Sequence, residues 1–275
     1  MRDATQPSVT KWPLVSALFI TYKRFHHLER AVLAFREHTD YPNLQIVIAD
    51  DGSPAAIQDQ IRRLPADVFA LLPKNRGLGA NNNNGLRHCS GKYVLMIQDD
   101  WVCQGPPHYL RDAVSVMEQN PRVGIINFAA TLHPPDLNQR LSGSIEPCYV
   151  TPKPSTDSHK EEFLYSDQPH LRSRNVEEVI GYYLEDRDME RCEIDYSARW
   201  KHQTELLTAI FPGYHLKAFT NPIGPEESFR INRLRYRVAN FLMPVKSFIP
   251  KPLLGIARNC VLWPIYLLER LGLTR

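Results

Sequence analysis

A long apolar run is missing from this 275-residue chain. The longest late one, Cys260–Leu268, is interrupted by Pro264 and is too short to cross a hydrocarbon core ~30 Å thick. Cysteine is scarce. Cys89, Cys103, Cys148, Cys192 and Cys260 are odd in number and none forms a CxxC pair. That pattern excludes a disulfide framework and a thiolate zinc site, and it suits idle thiols in a reducing compartment. A large charge of one sign is also lacking. The net charge of +3 speaks against a dedicated nucleic-acid binder. There is no internal repeat, and the 22 prolines are spread along the chain rather than gathered in a linker. The opening MRDATQPSVTKWP is polar and reads as carrying no signal peptide. What remains is an ordinary globular composition, 43% hydrophobic and 23% charged, with chain enough for a core that needs no staples. These features together predict a cytoplasmic protein.

The charge is unevenly placed. Residues 230–275 carry nine Arg and Lys against the single acid Glu269, a surplus of +8 that leaves −5 for residues 1–229. The same tail holds Phe241, Leu242, Phe248, Trp263 and Tyr266, and Pro244, Pro250, Pro252 and Pro264 break any long helix in it. Two readings are open. The tail packs on the acidic body, or it docks peripherally on an anionic leaflet, where each basic residue near the surface contributes ~1 kcal/mol.

Through the first 130 residues two periodicities alternate. LVSALFI (14–20), LQIVIA (44–49), Val68–Leu72, YVLMI (93–97) and Val123–Phe128 are short apolar runs that predict strands buried on both faces. Phe25, Leu28, Val32 and Phe35 lie at helical spacing within 24–38, and Ile57, Ile61 and Leu64 mark a second helix. Helices are also expected over 79–89 and 107–119. Strand–helix alternation with short connections implies a mostly parallel, Rossmann-like sheet with helices on both faces. Residues 131–175, rich in Pro, Ser, Asp and His, predict a long irregular excursion, and 176–211 a return to helix. Three segments follow: 1–130, 131–229 and a basic, helical tail 230–275.

In open parallel sheets ligands bind beyond the carboxyl ends of the strands. Here those ends read Thr21-Tyr22-Lys23-Arg24, Asp50-Asp51-Gly52-Ser53, Lys74-Asn75-Arg76-Gly77 and Gln98-Asp99-Asp100. An Asp-Asp-Gly-Ser after a strand is by itself an ordinary turn. Asn75–Gly85 is neither a Walker A loop nor GxGxxG, and it also reads as polar surface. Asp99–Asp100 is sharper, because adjacent carboxylates ending a buried strand repel and the usual relief is a cation. All-oxygen ligation suits Mg2+ or Mn2+. A further acidic stretch runs from Glu185 to Asp195, where helical spacing would put Tyr182, Asp186 and Met189 on one face. Taken alone it reads as a solvated helix surface.

In this order the pieces resemble the family 2 glycosyltransferases of GT-A fold. VSALFITYKRFHHLERAV is similar to that family's opening strand and nucleotide turn, and IVIADDGS to its base-contacting acidic motif. NRGLGANNNNGLRHCSGKYVLMIQDD is similar to the stretch that ends in its DxD-type metal motif. The resemblance is strong over about 13–128, weaker over 176–228, and absent from the tail. It implies a nucleotide-sugar-binding half in 1–130 and an acceptor-side, catalytic half in 131–229. By position it implies that Thr21, Tyr22, Arg24, Asp51, Arg76, Asn84 and Asp99 serve the nucleotide sugar. It implies further that Asp100 holds Mn2+ or Mg2+, and that Asp186, with Glu185 beside it in LEDRDMER, supplies the catalytic base. Gln98 stands where the family often has another Asp, and Asn221-Pro222 where a histidine is frequent.

The activity so implied is inverting transfer of a sugar from a nucleotide-diphosphate donor, UDP by default, to a hydroxyl on a glycan or lipid-linked acceptor. Polysaccharide, glycolipid or other glycoconjugate synthesis is the setting it suggests. A non-catalytic GT-A-like binding module is the alternative. A nucleotidyltransferase is disfavoured, because TYKRFHH has no glycine after the first strand.

Overall fold

In the computed structural model, LVSALFI becomes β1 (Val15–Thr21), all seven residues of which are buried. The structure describes residues 12–128, 139–144, 147–151, 165, 167–185, 189–211 and 218–222. The tail 230–275 and Asp186 lie outside them. Next come α1 (Phe25–His38), β2 (Leu44–Asp50), α2 (Ala55–Ile61), β3 (Val68–Leu71), α3 (Leu78–His88) and β4 (Tyr93–Gln98). A short β5 (Val102–Cys103), α4 (Tyr109–Gln119) and β6 (Val123–Asn127) complete the first half, each within a residue or two of its sequence-predicted span where one was predicted.

The side-chain alternation along the strands builds two cores. Val15, Ala17 and Phe19 of β1 face α1, α2 and α4, together with Ile46, Ile48, Leu95 and Ile97. Leu18 and Ile20 point to the other face with Val47, Ala49, Val94 and Met96. Helix α1 inserts Leu28, Ala31, Val32 and Phe35 into the first core, the i, i+3, i+4, i+7 stripe of an amphipathic helix. Phe35 meets Phe19 edge to face at 5.6 Å between ring centroids.

Beyond β6 the structure departs from the sequence expectation. Residues 131–175 are not irregular throughout. They contribute β7 (Arg140–Leu141), β8 (Cys148–Val150) and β9 (His170–Ser173), followed by α5 (Asn175–Ile180) and α6 (Met189–His202). Nor are 176–211 helical to their end, since β10 (Leu207–Ile210) is a buried strand parallel to β6. Residues 183–185 ahead of α6 are non-helical, so the helical face expected to join Tyr182 to Met189 does not form. The last strand among the described residues, β11 (Phe219–Thr220), pairs with β5 as a separate ribbon.

One sheet therefore runs in the order β3-β2-β1-β4-β9-β6-β10-β8-β7. β9 sits in its middle, antiparallel to β4 and β6, with Leu171 opposite both Leu95 and Ile126. All four residues of HLRS are buried although two are basic. His170 stays neutral, its pKa held down to about 3 by burial and by the Arg172 charge. The Arg172 guanidinium pairs with Glu177 at 3.0 Å and donates to the Tyr183 and Tyr196 hydroxyls at 3.1 and 2.5 Å. A buried charge is tolerable only with such partners.

Cys89, Cys103, Cys148 and Cys192 are free thiols and buried. Among the described residues no helix is long and apolar enough to cross a membrane.

Candidate functional site

β1 lies between β2 and β4, all three parallel, so their carboxyl ends meet. Thr21 is opposite Asp50, and Ile20 is opposite Gln98. The chain leaves β1 through Tyr22 and Lys23. Lys23 holds φ +60°, an uncommon backbone state for a residue with a side chain, fixed by its N–H donating to Ser53 Oγ at 2.8 Å. Its ammonium rests 4.8 Å from the centroid of the Tyr22 ring.

The Asp50-Asp51 pair divides its work. Asp50 accepts from the Ser53 N–H and from Gln58 Nε2, both at 2.8 Å, and closes the turn after β2. Gly52 within that turn has φ +72°, and a Cβ there would run into the Lys74 backbone. Asp51 reaches the neighbouring loop. Its carboxylate accepts from Asn75 Nδ2 at 2.7 Å, the Arg76 N–H at 2.7 Å and the Gly77 N–H at 2.9 Å. Burial raises its pKa, and the two amide bonds oppose that rise. The Asp51 side chain thus shapes the β3–α3 loop.

Asp99 and Asp100 turn out of β4. Asp99 is buried and accepts from Thr21 Oγ1 at 2.7 Å and from Arg24 Nε at 3.2 Å, while Arg24 Nη2 pairs with its other oxygen. Burial outweighs these partners and lifts the Asp99 pKa to about 6. Asp100 is 8% exposed. Its Oδ2 is 3.6 Å from Arg24 Nη1, and its buried Oδ1 has no hydrogen-bond partner. The segment that follows is tied down by the β5–β11 ribbon and by the Gln104 and Gly105 N–H groups donating to Ala218 O at 2.8 and 3.0 Å.

Helix α3 joins this edge to the distant segment Tyr183–Glu185. Asn81 donates to the carbonyls of Thr21 and Ala49 at 3.2 and 3.1 Å, capping the ends of β1 and β2. Asn83 brackets the Tyr183 backbone, accepting from its N–H and donating to its carbonyl, both at 2.9 Å. Gly79 permits the approach, since a Cβ there would collide with the Leu184 carbonyl oxygen. Glu185 is then held by Arg76 Nη2 at 2.5 Å, Asn83 Nδ2 at 3.1 Å and Arg87 Nη2 at 3.5 Å. The Asn83 hydrogen bond and the two guanidinium charges keep its pKa below the usual carboxylate value. Asn84 faces elsewhere and donates to Ala70 O of β3 at 2.7 Å.

Of the residues picked from sequence, Thr21, Arg24, Asp99 and Asp100 form one connected group, and Asp51, Arg76 and Glu185 form another. The Asp51 N–H joins them by donating to the Thr21 carbonyl at 3.1 Å. Asp50 and Ser53 stand in the sequence only as part of a strand-end turn, and Asn81 and Asn83 only as part of a polar run. The available signal was the run of four asparagines, since a helix that keeps poor helix formers is using their amides.

The glycosyl transferase family 2 model matches residues 16–168, which include the ends of β1, β2 and β4 with everything they carry. The chain belongs to this family. A curated relative from Campylobacter jejuni, GalNAc(5)-diNAcBac-PP-undecaprenol beta-1,3-glucosyltransferase, is 30% identical over 93 residues, 32% of this chain and 30% of its own. The Rattus norvegicus beta-1,4 N-acetylgalactosaminyltransferase 1 is 31% identical over 109 residues, 39% of this chain and 19% of its own. This chain thus matches under a third of the length of either relative.

Solved structures share the GT-A fold. The mannosyltransferase PcManGT from Pyrobaculum calidifontis, in complex with GDP-Man and Mn2+, superposes with a TM-score of 0.52 at 17% identity, over 94% of this chain and 74% of its own. S. aureus TarS 1-349 in complex with UDP gives 0.52 at 14% identity, over 83% of this chain and 65% of its own.

For this family 2 chain, the fit of a divalent ion turns on Asp100. No group of three or more His, Cys, Asp and Glu side chains suited to a metal occurs among the described residues. An all-protein cage is therefore absent there. An ion of the Mg2+ class needs only one or two carboxylates when substrate phosphates complete its shell. The orphaned, buried Oδ1 of Asp100 fits that requirement, and the neutral Gln98 adds no charge to it.

Proposed function

We propose that this protein is an inverting glycosyltransferase that moves a hexosyl group from a nucleotide-diphosphate sugar to an acceptor hydroxyl, with Mn2+ or Mg2+ held at Asp100. One observation carries the reading. Three strand ends deliver Thr21, Asp51 and the Asp99–Asp100 pair to one edge, and Arg76 bridges the loop shaped by Asp51 to Glu185, the residue before Asp186. Donor-side and base-side segments are thereby fixed to the same helix, α3.

In this reading the turn Thr21–Arg24 and the Asp51-shaped loop hold base, ribose and diphosphate. The ion, when bound, neutralises the charge that builds on the departing nucleotide diphosphate. Asp186 takes the proton from the acceptor hydroxyl as that oxygen attacks the anomeric carbon opposite the leaving group. Glu185 acts as an anchor, its carboxylate committed to Arg76, Asn83 and Arg87. The undecaprenol-linked glycan that the Campylobacter relative is named for acting on supports a glycan or lipid-linked acceptor.

A panel of radiolabelled UDP- and GDP-sugars, with products separated, tests the class. Free nucleotide diphosphate together with a glycosylated or hydrolysed sugar is expected. Release of sugar 1-phosphate, with the nucleoside monophosphate passed to an acceptor or to added pyrophosphate, would mean nucleotidyl transfer, and binding without turnover would mean a non-catalytic module.

Asp51→Ala should weaken binding of UDP or GDP by ~1–3 kcal/mol, the scale of hydrogen bonds to a charged group. The loss should be accompanied by disorder of the Asn75–Gly77 loop, whose two N–H groups and one amide lose their acceptor. Calorimetry that returns the wild-type affinity for both nucleotides would remove Asp51 from donor recognition.

A further inference from the structure

Arg24 occupies the place where a cation is expected. Its guanidinium spans both acidic residues after β4, forking onto Asp99 through Nε and Nη2 and lying 3.6 Å from Asp100 Oδ2 through Nη1. The side chain is not buried away from the site. It is 41% exposed, whereas those of Asp99 and Asp100 are 0% and 12% exposed. With Gln98 neutral, the cluster of two carboxylates and one guanidinium retains one net negative charge.

We infer that Arg24 makes metal binding at Asp100 depend on the donor's diphosphate. The inference rests on the metal role proposed above. A divalent ion on Asp100 would share its carboxylate pair with a guanidinium already there, and the two cations repel. The pair of acids can neutralise Arg24 or the ion but not both. A diphosphate supplies the missing negative charge, with oxygens for the ion and for the exposed face of Arg24. Guanidinium is well matched to phosphate geometry, so this contact does not require Arg24 to leave Asp99. Ion and nucleoside diphosphate then bind cooperatively, and by linkage each tightens the other by the same factor. A chain built this way does not hold its ion between turnovers.

The test measures Mn2+ uptake by electron paramagnetic resonance of the free ion, with the full chain. It is run without nucleotide and with UDP or GDP, corrected for Mn2+–nucleotide complex in solution. Wild type should take up Mn2+ weakly alone and at least tenfold more tightly with one of the nucleotides. Arg24→Gln should bind Mn2+ alone roughly tenfold more tightly than wild type, the scale of repulsion between a divalent and a monovalent cation even in water-like surroundings. Its nucleotide enhancement should fall by a similar factor. Arg24→Lys, which keeps the charge, should retain the wild-type dependence.

Wild-type uptake that is equal with and without nucleotide overturns the inference, whether or not Arg24→Gln folds. So does an Arg24→Gln chain with unchanged or weaker Mn2+ affinity, or an Arg24→Lys chain that loses the dependence. In those cases the metal role of Asp100 stands. If wild type takes up no Mn2+ under any of these conditions, the metal role falls and the inference with it.

Discussion

Asp100→Asn is expected to lower Mn2+- or Mg2+-supported sugar transfer by about 10²–10³-fold, the usual cost of removing one group that stabilises charge developing in the transition state. The fold should survive. Asp100 makes no side-chain hydrogen bond through its buried Oδ1, and its Oδ2 lies 3.6 Å from Nη1 of the half-exposed Arg24. Arg24 retains its fork onto Asp99 in the variant, and one like-charge repulsion at the end of β4 disappears. Thermal unfolding should therefore move little or slightly upward while the metal dependence of turnover collapses. Wild-type activity that persists in excess chelator, or an Asp100→Asn enzyme with normal metal response, would take the ion away from Asp100.

Asp186→Asn should slow transfer by about 10²–10⁴-fold, the range for losing a positioned general base, with nucleotide affinity preserved. Glu185→Gln supplies the contrast. Glu185 holds Arg76, Asn83 and Arg87 together, so its loss should loosen the Tyr183–Glu185 segment and the Arg76 loop at once. A smaller fall in rate is expected there, with weaker nucleotide binding and a lower melting temperature. The two variants are thus told apart by which constant moves. Should Glu185→Gln abolish transfer at unchanged affinity while Asp186→Asn remains active, the base is Glu185.

The first half of this fold is legible in the sequence because its strands are buried on both faces and so appear as unbroken apolar runs. β9 hides for the opposite reason. HLRS reads as polar, and the groups that satisfy Arg172 are the Glu177 carboxylate, which neutralises it, and the Tyr183 and Tyr196 hydroxyls, on α5, the segment before α6 and α6 itself. No local pattern announces that a basic residue will be buried when its partners arrive from later elements. The acidic pair of the site is visible for a local reason, two carboxylates directly after YVLMI. The cation across it is not, since Arg24 and Asp99 are 75 residues apart and meet only through the pairing of β1 with β4. Likewise NNNN resembles a surface tract until Asn81 and Asn83 are seen completing carbonyls and amides at strand ends and at Tyr183.

The position of β9 also governs how the chain can assemble. β4 and β6 are not neighbours, and each waits for the same late strand to cover its edge. From the end of β4 to the start of β9 the ribosome must add about 70 residues, which at ~5–20 residues per second takes roughly 4–14 s. Throughout that interval β4 offers an open, apolar edge of the kind that pairs with other chains. β6 has neither of its two sheet partners, because β10 emerges later still. The edge formed by β1, β2 and β4, which carries the proposed donor site, is thus made early and secured late. A nascent chain of this protein spends seconds as an unfinished sheet, with Asp51, Asp99 and Asp100 already synthesised and the strand that locks their platform still to come.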